Sequence, residues 1–90
     1  MIGQRWLVSG HVQGVGFRWY VVQAALRCGV KGDVRNLPDG RVEIRATGSV
    51  SRLATLLGEI RKGPPHSRVD DVLESILDAD QEFDGFTVVH

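Results

Sequence analysis

The chain has 90 residues of mixed apolar and charged composition, which suffice for one domain, residues 1–90, and exclude a second sizeable core. Eleven Lys and Arg balance 11 Asp and Glu, and this zero formal net charge excludes the overall basic field that recruits nucleic acid. The single cysteine, Cys28, excludes an internal disulfide, and no apolar run could span a bilayer, so we expect a cytoplasmic protein without membrane contact. Basic residues outnumber acidic ones seven to three in residues 1–45, so an anion site is expected in that half.

The first predicted strand covers residues 5–12, where apolar Trp6 and Val8 alternate with polar Arg5 and Ser9. Glycines then interrupt the pattern, and apolar side chains recur at helical spacing up to Gly29, a residue typical of a helix C-terminus. The apolar stripe of this first helix consists of Phe17, Val21, Ala24, Ala25 and Cys28. In this position Cys28 is expected to be a small buried hydrophobe.

A hairpin is predicted after the first helix. Residues 31–37 form a short strand, the sequence Pro38-Asp39-Gly40 is typical of a tight turn, and apolar residues then alternate at Val42, Ile44 and Ala46.

The second half of the chain contains one helix and two strand-like segments. Ser49 predicts the N-cap of the helix, and Gly63-Pro64-Pro65 ends it. We expect its apolar stripe to pack in the core: Val50, Leu53, Leu56, Leu57 and Ile60. Residues 68–77 and 83–89 carry strand-like apolar positions at Val69, Leu73, Phe86 and Val88.

This order of elements predicts an α+β protein with a ferredoxin-like, split βαβ arrangement (βαββαβ), an antiparallel sheet carrying two helices on one face. Strands one and two are then parallel, and strand three lies between them. The end of strand two therefore shares an edge with the loop that leaves strand one, about 10 Å away. A phosphate and a water molecule could lie between the two.

The loop between the first strand and the first helix, residues 10–18, has the sequence GHVQGVGFR. Its glycines allow successive backbone amides to converge on an anion, assisted by the positive end of the helix dipole. The pattern matches neither GxxxxGK[ST] nor GxGxxG, so nucleotide-binding loops are disfavoured. From the glycines alone, an anion-binding loop and an ordinary turn before a helix are equally good interpretations.

Arg18 favours the anion-binding interpretation. A cation in the first turn of a helix opposes the dipole at a cost of about 0.3–1 kcal/mol, which a bound phosphate would recover. The planar guanidinium also matches two phosphate oxygens. The alternative is a surface ion pair between Arg18 and a carboxylate such as Asp39.

The residues 10–18 segment resembles the signature loop of the acylphosphatases, and a second segment, VRNLPDGRVE at residues 34–43, resembles that family's second signature. Gly63-Pro64-Pro65 followed by Val69 is similar to a later loop of the family, so the resemblance extends over essentially the whole chain. Two positions depart from the family pattern: Asp33 stands where an aromatic residue is common, and Trp19 is bulky.

The resemblance implies a metal-free and cofactor-free hydrolase of acyl phosphates. It implies that Arg18 clamps the substrate phosphate and that Asn36 positions the attacking water. It also implies that the phosphate is bound by the backbone amides of Gln13, Gly14, Val15, Gly16, Phe17 and Arg18. From the residues alone, the better explanation of Asn36 is that it caps the strand end or accepts a hydrogen bond in the turn. His11, His66 and His90 have no carboxylate or cysteine partner at ligand spacing, so no metal site is expected.

We therefore expect in-line attack of water on an acyl phosphate, releasing a carboxylate and inorganic phosphate. Inorganic phosphate or sulfate should inhibit, no nucleic acid should bind, and the chain should be a monomer. The main alternative is a non-catalytic anion-binding or interaction module of the same fold. RNA binding is a weaker alternative, because it requires exposed aromatic residues on a basic sheet. The family also occurs as a domain of larger maturation proteins that act on carbamoyl phosphate.

Overall fold

The computed structural model describes residues 1–78 and 80–90, and within them the chain forms five strands and two helices. In chain order these are β1 (Ile2–His11), α1 (Phe17–Cys28), β2 (Lys31–Asn36), β3 (Val42–Gly48), α2 (Val50–Lys62), β4 (Arg68–Ile76) and β5 (Phe86–Val88). Neither helix of the described part has the length and apolar character needed to cross a lipid bilayer.

The five strands form one sheet in the order β4-β1-β3-β2-β5. β3 pairs antiparallel with both β1 and β2, so β1 and β2 run parallel to each other on either side of it. The predicted ferredoxin-like arrangement is therefore confirmed, and the sequence pattern placed all four long strands within a few residues.

The pair of β5 and β2 differs from the other strand pairs because its strands are parallel. β4 runs antiparallel to β1, and it therefore stops at the end of the sheet where β1 and β2 begin. A strand that starts at this end of the sheet and lies along the outer side of β2 must run in the same direction as β2. The sheet is consequently mixed, with one short parallel pair beside four antiparallel strands.

The core lies between the helices and one face of the sheet. Alternate residues of the central strands face it, so Val8, Val34 and Ile44 are fully buried. From α1, the predicted stripe is buried as expected at Phe17, Val21, Ala24 and Ala25. This packing holds the N-terminus of α1 against the end of the sheet at which β1 and β2 terminate.

Several predicted core positions are less buried than expected. Ser49 caps α2 as predicted, with its Oγ accepting a hydrogen bond of 3.3 Å from the Arg52 backbone N–H. The prediction for Val50 was wrong, because this first helical residue is 68% exposed. Leu73 lies in a strand as predicted, on the outer face of edge strand β4 opposite Leu7, where it is exposed. Cys28 is half-buried and packs against the core.

The outer face of the sheet carries ion pairs that join neighbouring strands. Glu43 is buried between Arg5 at 2.6 Å and Arg35 at 2.7 Å. Asp33, the departure noted in the sequence, is buried and pairs across the sheet with Arg45. Asp33 therefore has a structural partner on β3, away from the loop that precedes α1.

Candidate active site

The backbone of the loop between β1 and α1 is shaped by two glycines. Gly14 and Gly16 have φ angles of 75° and 78°, in the left-handed region that side chains rarely adopt. A Cβ at either position would meet no atom within 4 Å, so backbone conformation and not space selects glycine. Left-handed residues within such a turn curve the chain so that successive amides can face one concavity.

Among the residues that the structure describes, none supplies a side-chain acceptor to cap the N-terminus of α1. Gly16 occupies the N-cap position without a capping side chain, and the first turn contains no acidic residue. The unpaired amides and the helix dipole together make this end of α1 suited to an anion.

Arg18 is a half-buried residue in that first turn, and its guanidinium forms no salt bridge with any residue the structure describes. The alternative partner considered from the sequence, Asp39, bonds to Arg41 instead, through the Arg41 Nε at 2.8 Å and the backbone N–H at 3.0 Å. The Arg41 backbone N–H is the main cause of a lowered pKa at Asp39. The positive charge of Arg18 is therefore available to a ligand.

Asn36 is the last residue of β2, and its carbonyl oxygen Oδ1 is buried without a hydrogen-bond partner among the described residues. The turn that follows is closed by backbone bonds instead, from Leu37 N–H to Arg41 O at 2.8 Å and from Gly40 N–H to Leu37 O at 3.1 Å. The side-chain carbonyl of Asn36 thus takes no part in the turn. A cap of the strand end does not explain this side chain.

Arg18 and Asn36 line the same cleft, which has a volume of about 250 Å³. This volume is at the small end of ligand-binding cavities and suits a substrate of a few heavy atoms beyond a phosphate. The other lining residues are Val12, Gly14, Gly16, Phe17, Trp19, Val88 and His90. Of the six loop residues expected to bind phosphate, Gln13 and Val15 are not part of the lining.

Val88 and His90 are lining residues that the sequence analysis missed. Val34 of β2 is in register with Val88 of β5, and the Val89 N–H donates to Val34 O at 2.9 Å, so the chain after β5 continues beside Asn36. The apolar spacing in residues 83–89 predicted a strand, but no local signal indicates that this strand lies next to β2.

The side chain of Gln13 turns away from the cleft toward the β2–β3 turn. Its Nε2 donates hydrogen bonds of 2.9 Å to Leu37 O and of 2.9 Å to Arg41 O. Gln13 therefore joins the loop to the turn that begins directly after Asn36.

Phe17 follows the loop directly and packs in the core. Its ring is buried, and its centroid lies 6.4 Å from that of Tyr20, whose hydroxyl donates to Glu59 O at 2.8 Å. Burial, followed by a second hydrogen bond of 3.0 Å from the hydroxyl to the carboxylate oxygen Oε2 of Glu59, raises the pKa of Tyr20 to about 12, so this phenol stays protonated at neutral pH. Gly63 of the third predicted family segment lies against Phe17 and outside the cleft lining.

Two further observations bear on what the cleft could hold. Within the described ranges, no group of three or more His, Cys, Asp or Glu residues is placed to bind a metal ion. A larger cavity of about 390 Å³ lies at the opposite end of β1, beside Ile2, Ile76 and Leu77, and its lining includes no Arg or Lys. Of these two cavities, the cleft at Arg18 is therefore the better candidate for an anionic substrate.

Comparison with known proteins identifies the family to which this architecture corresponds. A model of the acylphosphatase family matches residues 4–88. An acylphosphatase of Koribacter versatilis is 55% identical over 77% of this chain and 63% of its own length, and one of Pasteurella multocida is 42% identical over 98% of each chain. The crystal structure of acylphosphatase from Bacillus subtilis superimposes with a TM-score of 0.96 at 36% identity, covering 100% of both chains.

Proposed function

The chain belongs to the acylphosphatase family, enzymes that hydrolyse acyl phosphates, and from this premise we propose that Arg18 and Asn36 are the groups that act on the substrate. The observation that carries the proposal is their presence in one cleft. Among the described residues, the Arg18 guanidinium has no carboxylate partner and the buried Asn36 Oδ1 has no donor. The first matches a phosphate and the second matches a water molecule.

The substrate phosphate binds to the loop from Gln13 to Arg18. Backbone amides from this loop and the first turn of α1 donate to its oxygens, and the helix dipole adds favourable potential. The Arg18 guanidinium donates two parallel hydrogen bonds to the same group, as its planar fork allows. Bound phosphate also compensates the cost of a cation at a helix N-terminus.

Asn36 orients the attacking water. A buried carbonyl without a donor costs about 1–3 kcal/mol, and a water that donates one hydrogen bond to Oδ1 removes this cost. Such a water keeps its oxygen lone pair free to attack phosphorus. Asn36 lies at the end of β2, across β3 from the loop, so it can hold the water on one side of the bound phosphate.

The reaction follows from this placement. The water oxygen forms a bond to phosphorus while the bond from phosphorus to the acyl oxygen breaks, with the two oxygens in line. The leaving carboxylate takes the electron pair of that bond, and the proton of the water passes to a phosphate oxygen. Arg18 and the amides stabilise the charge on the equatorial oxygens, so neither a covalent nucleophile nor a metal ion is required.

The acyl group lies against the remaining wall of the cleft. The lining there includes Trp19, Val88 and His90, and Trp19 is 66% exposed. A flat apolar acyl group would cover this exposed aromatic surface, which favours its binding. We propose acyl phosphates with an uncharged, aromatic or aliphatic acyl group as substrates. We also propose a reducing, cytoplasmic location for a monomer with one cysteine.

The test is hydrolysis of benzoyl phosphate by the purified 90-residue chain, with and without exhaustive chelation. We expect turnover that survives the chelator and is inhibited competitively by inorganic phosphate. Arg18→Ala should abolish most turnover, whereas Arg61→Ala, which removes an exposed arginine of α2 outside the cleft, should not. Chelator-sensitive turnover restored by magnesium, or a fully active Arg18→Ala protein, would refute the proposed mechanism.

A further inference from the structure

Gln13 lies in the proposed phosphate loop, but its side chain is bound to a different part of the protein. Both acceptors of its Nε2, Leu37 O and Arg41 O, belong to the turn between β2 and β3, and each hydrogen bond is 2.9 Å long. The amide group has two N–H donors, and both are used in these bonds. The side chain of Gln13 is therefore not a phosphate ligand, and it is absent from the cleft lining.

The two acceptors are the two sides of one closed turn. Leu37 N–H donates to Arg41 O at 2.8 Å, so Leu37 and Arg41 face each other at the mouth of the turn. A single rigid amide that bonds both carbonyls fixes the distance and the orientation of the loop relative to this mouth. Asn36 is the residue immediately before it.

No strand ladder can provide this link. β3 lies between β1 and β2 in the sheet, so the backbone that leaves β1 has no direct hydrogen-bonded neighbour in β2. Their separation is two strand spacings, about 10 Å. The position of Asn36 relative to the loop would otherwise depend on the twist of three strands and on the mobility of a turn.

We propose that Gln13 is a positioning residue, which sets the place of Asn36, and hence of the attacking water, relative to the phosphate held by the loop. The proposal rests on the roles assigned above to the loop and to Asn36. Reactions catalysed by positioning are sensitive to geometry, and a misplacement of about 1 Å can reduce the rate roughly 100-fold. Loss of the Gln13 bonds should therefore lower turnover without removing any group that touches the substrate.

The decisive variant is Gln13→Met, which keeps the length of the side chain and the backbone amide but has no N–H donors. We expect kcat for benzoyl phosphate to fall about 10–100-fold, while the competitive inhibition constant of inorganic phosphate stays close to the native value. Ser49→Ala is the matched control, because it removes a capping hydrogen bond of α2 outside the cleft and should leave kcat unchanged.

A double-mutant cycle with Asn36→Ala tests whether Gln13 acts through Asn36. If it does, Gln13→Met should lower turnover far less in the Asn36→Ala background than in the native protein. A purely structural role of Gln13 would give independent effects that multiply. Denaturant midpoints of all four proteins show that folded enzymes are being compared.

The outcomes separate this inference from the proposed function. Native turnover in Asn36→Ala would refute the role of Asn36 and the inference with it. A loss of turnover in Asn36→Ala together with native kcat in Gln13→Met, or with effects that multiply, would overturn the inference alone. If Gln13→Met does not fold, Gln13→Asn replaces it, since this shorter amide cannot reach both carbonyls, and the same criteria apply.

Discussion

Replacing Asn36 with Ala should separate binding from chemistry. No described residue donates a hydrogen bond to the side-chain oxygen Oδ1 of Asn36, and the following turn is closed by backbone bonds, so the substitution breaks no hydrogen bond to Oδ1 within the protein. The free energy of unfolding should then change by less than about 1 kcal/mol, the net value of one ordinary intramolecular hydrogen bond.

Turnover should respond very differently. Removing a preorganised group that acts in the transition state costs roughly 10²–10³ in kcat, or about 2.7–4 kcal/mol. The loop, the first turn of α1 and Arg18 are unchanged, so the competitive inhibition constant of inorganic phosphate should remain near the native value. The expected signature is a large loss of kcat at nearly constant stability and phosphate affinity.

Three measurements on one preparation check this signature: initial rates with benzoyl phosphate, inhibition by inorganic phosphate, and a denaturant unfolding curve. Asn36→Leu, which keeps the volume of the side chain, controls for an empty space in the cleft and should be as inactive as Asn36→Ala. Turnover near the native rate in a folded Asn36→Ala protein would show that the reasoning about the water is wrong.

Three other predictions concern Arg18, Trp19 and Tyr20. Arg18→Lys should lower kcat/KM by at least about 10²–10³, because an ammonium cannot form the planar fork; near-native kcat/KM would contradict this. Trp19→Ala should lower kcat/KM about tenfold for benzoyl phosphate but much less for acetyl phosphate, and equal losses would remove the indole from the acyl site. The pKa of Tyr20 is raised to about 12 in the folded chain from 10.0, so its stabilising contribution is fully present below pH 10 and is lost as the pH rises toward 12. Tyr20→Phe should remove this alkaline dependence from the denaturant midpoint, and an unchanged pH profile in the variant would refute it.

Local patterns were enough to predict the helices and strands of this protein. Apolar spacing located both helices, and Ser49 was identified as a cap because its hydroxyl can satisfy a free amide of the first turn. Gly14 and Gly16, which were expected to let the backbone turn between a strand and a helix, have positive φ angles. The parallel placement of strands one and two, which brings Arg18 and Asn36 to one edge, followed from the order of elements.

The tertiary structure decided the contacts between segments that are distant in sequence. Whether Asn36 caps a turn or leaves Oδ1 unpaired depends on which atoms surround it, and no spacing rule specifies that. The family resemblance implied a phosphate-binding role for the backbone amide of Gln13, but the side-chain hydrogen bonds of Gln13 to Leu37 and Arg41 require the turn to lie beside the loop. Val88 lines the cleft because β5 pairs with β2, about fifty residues earlier. Periodicity records only which side of an element is buried, whereas the neighbour of each element is set by how all the strands pack into one sheet.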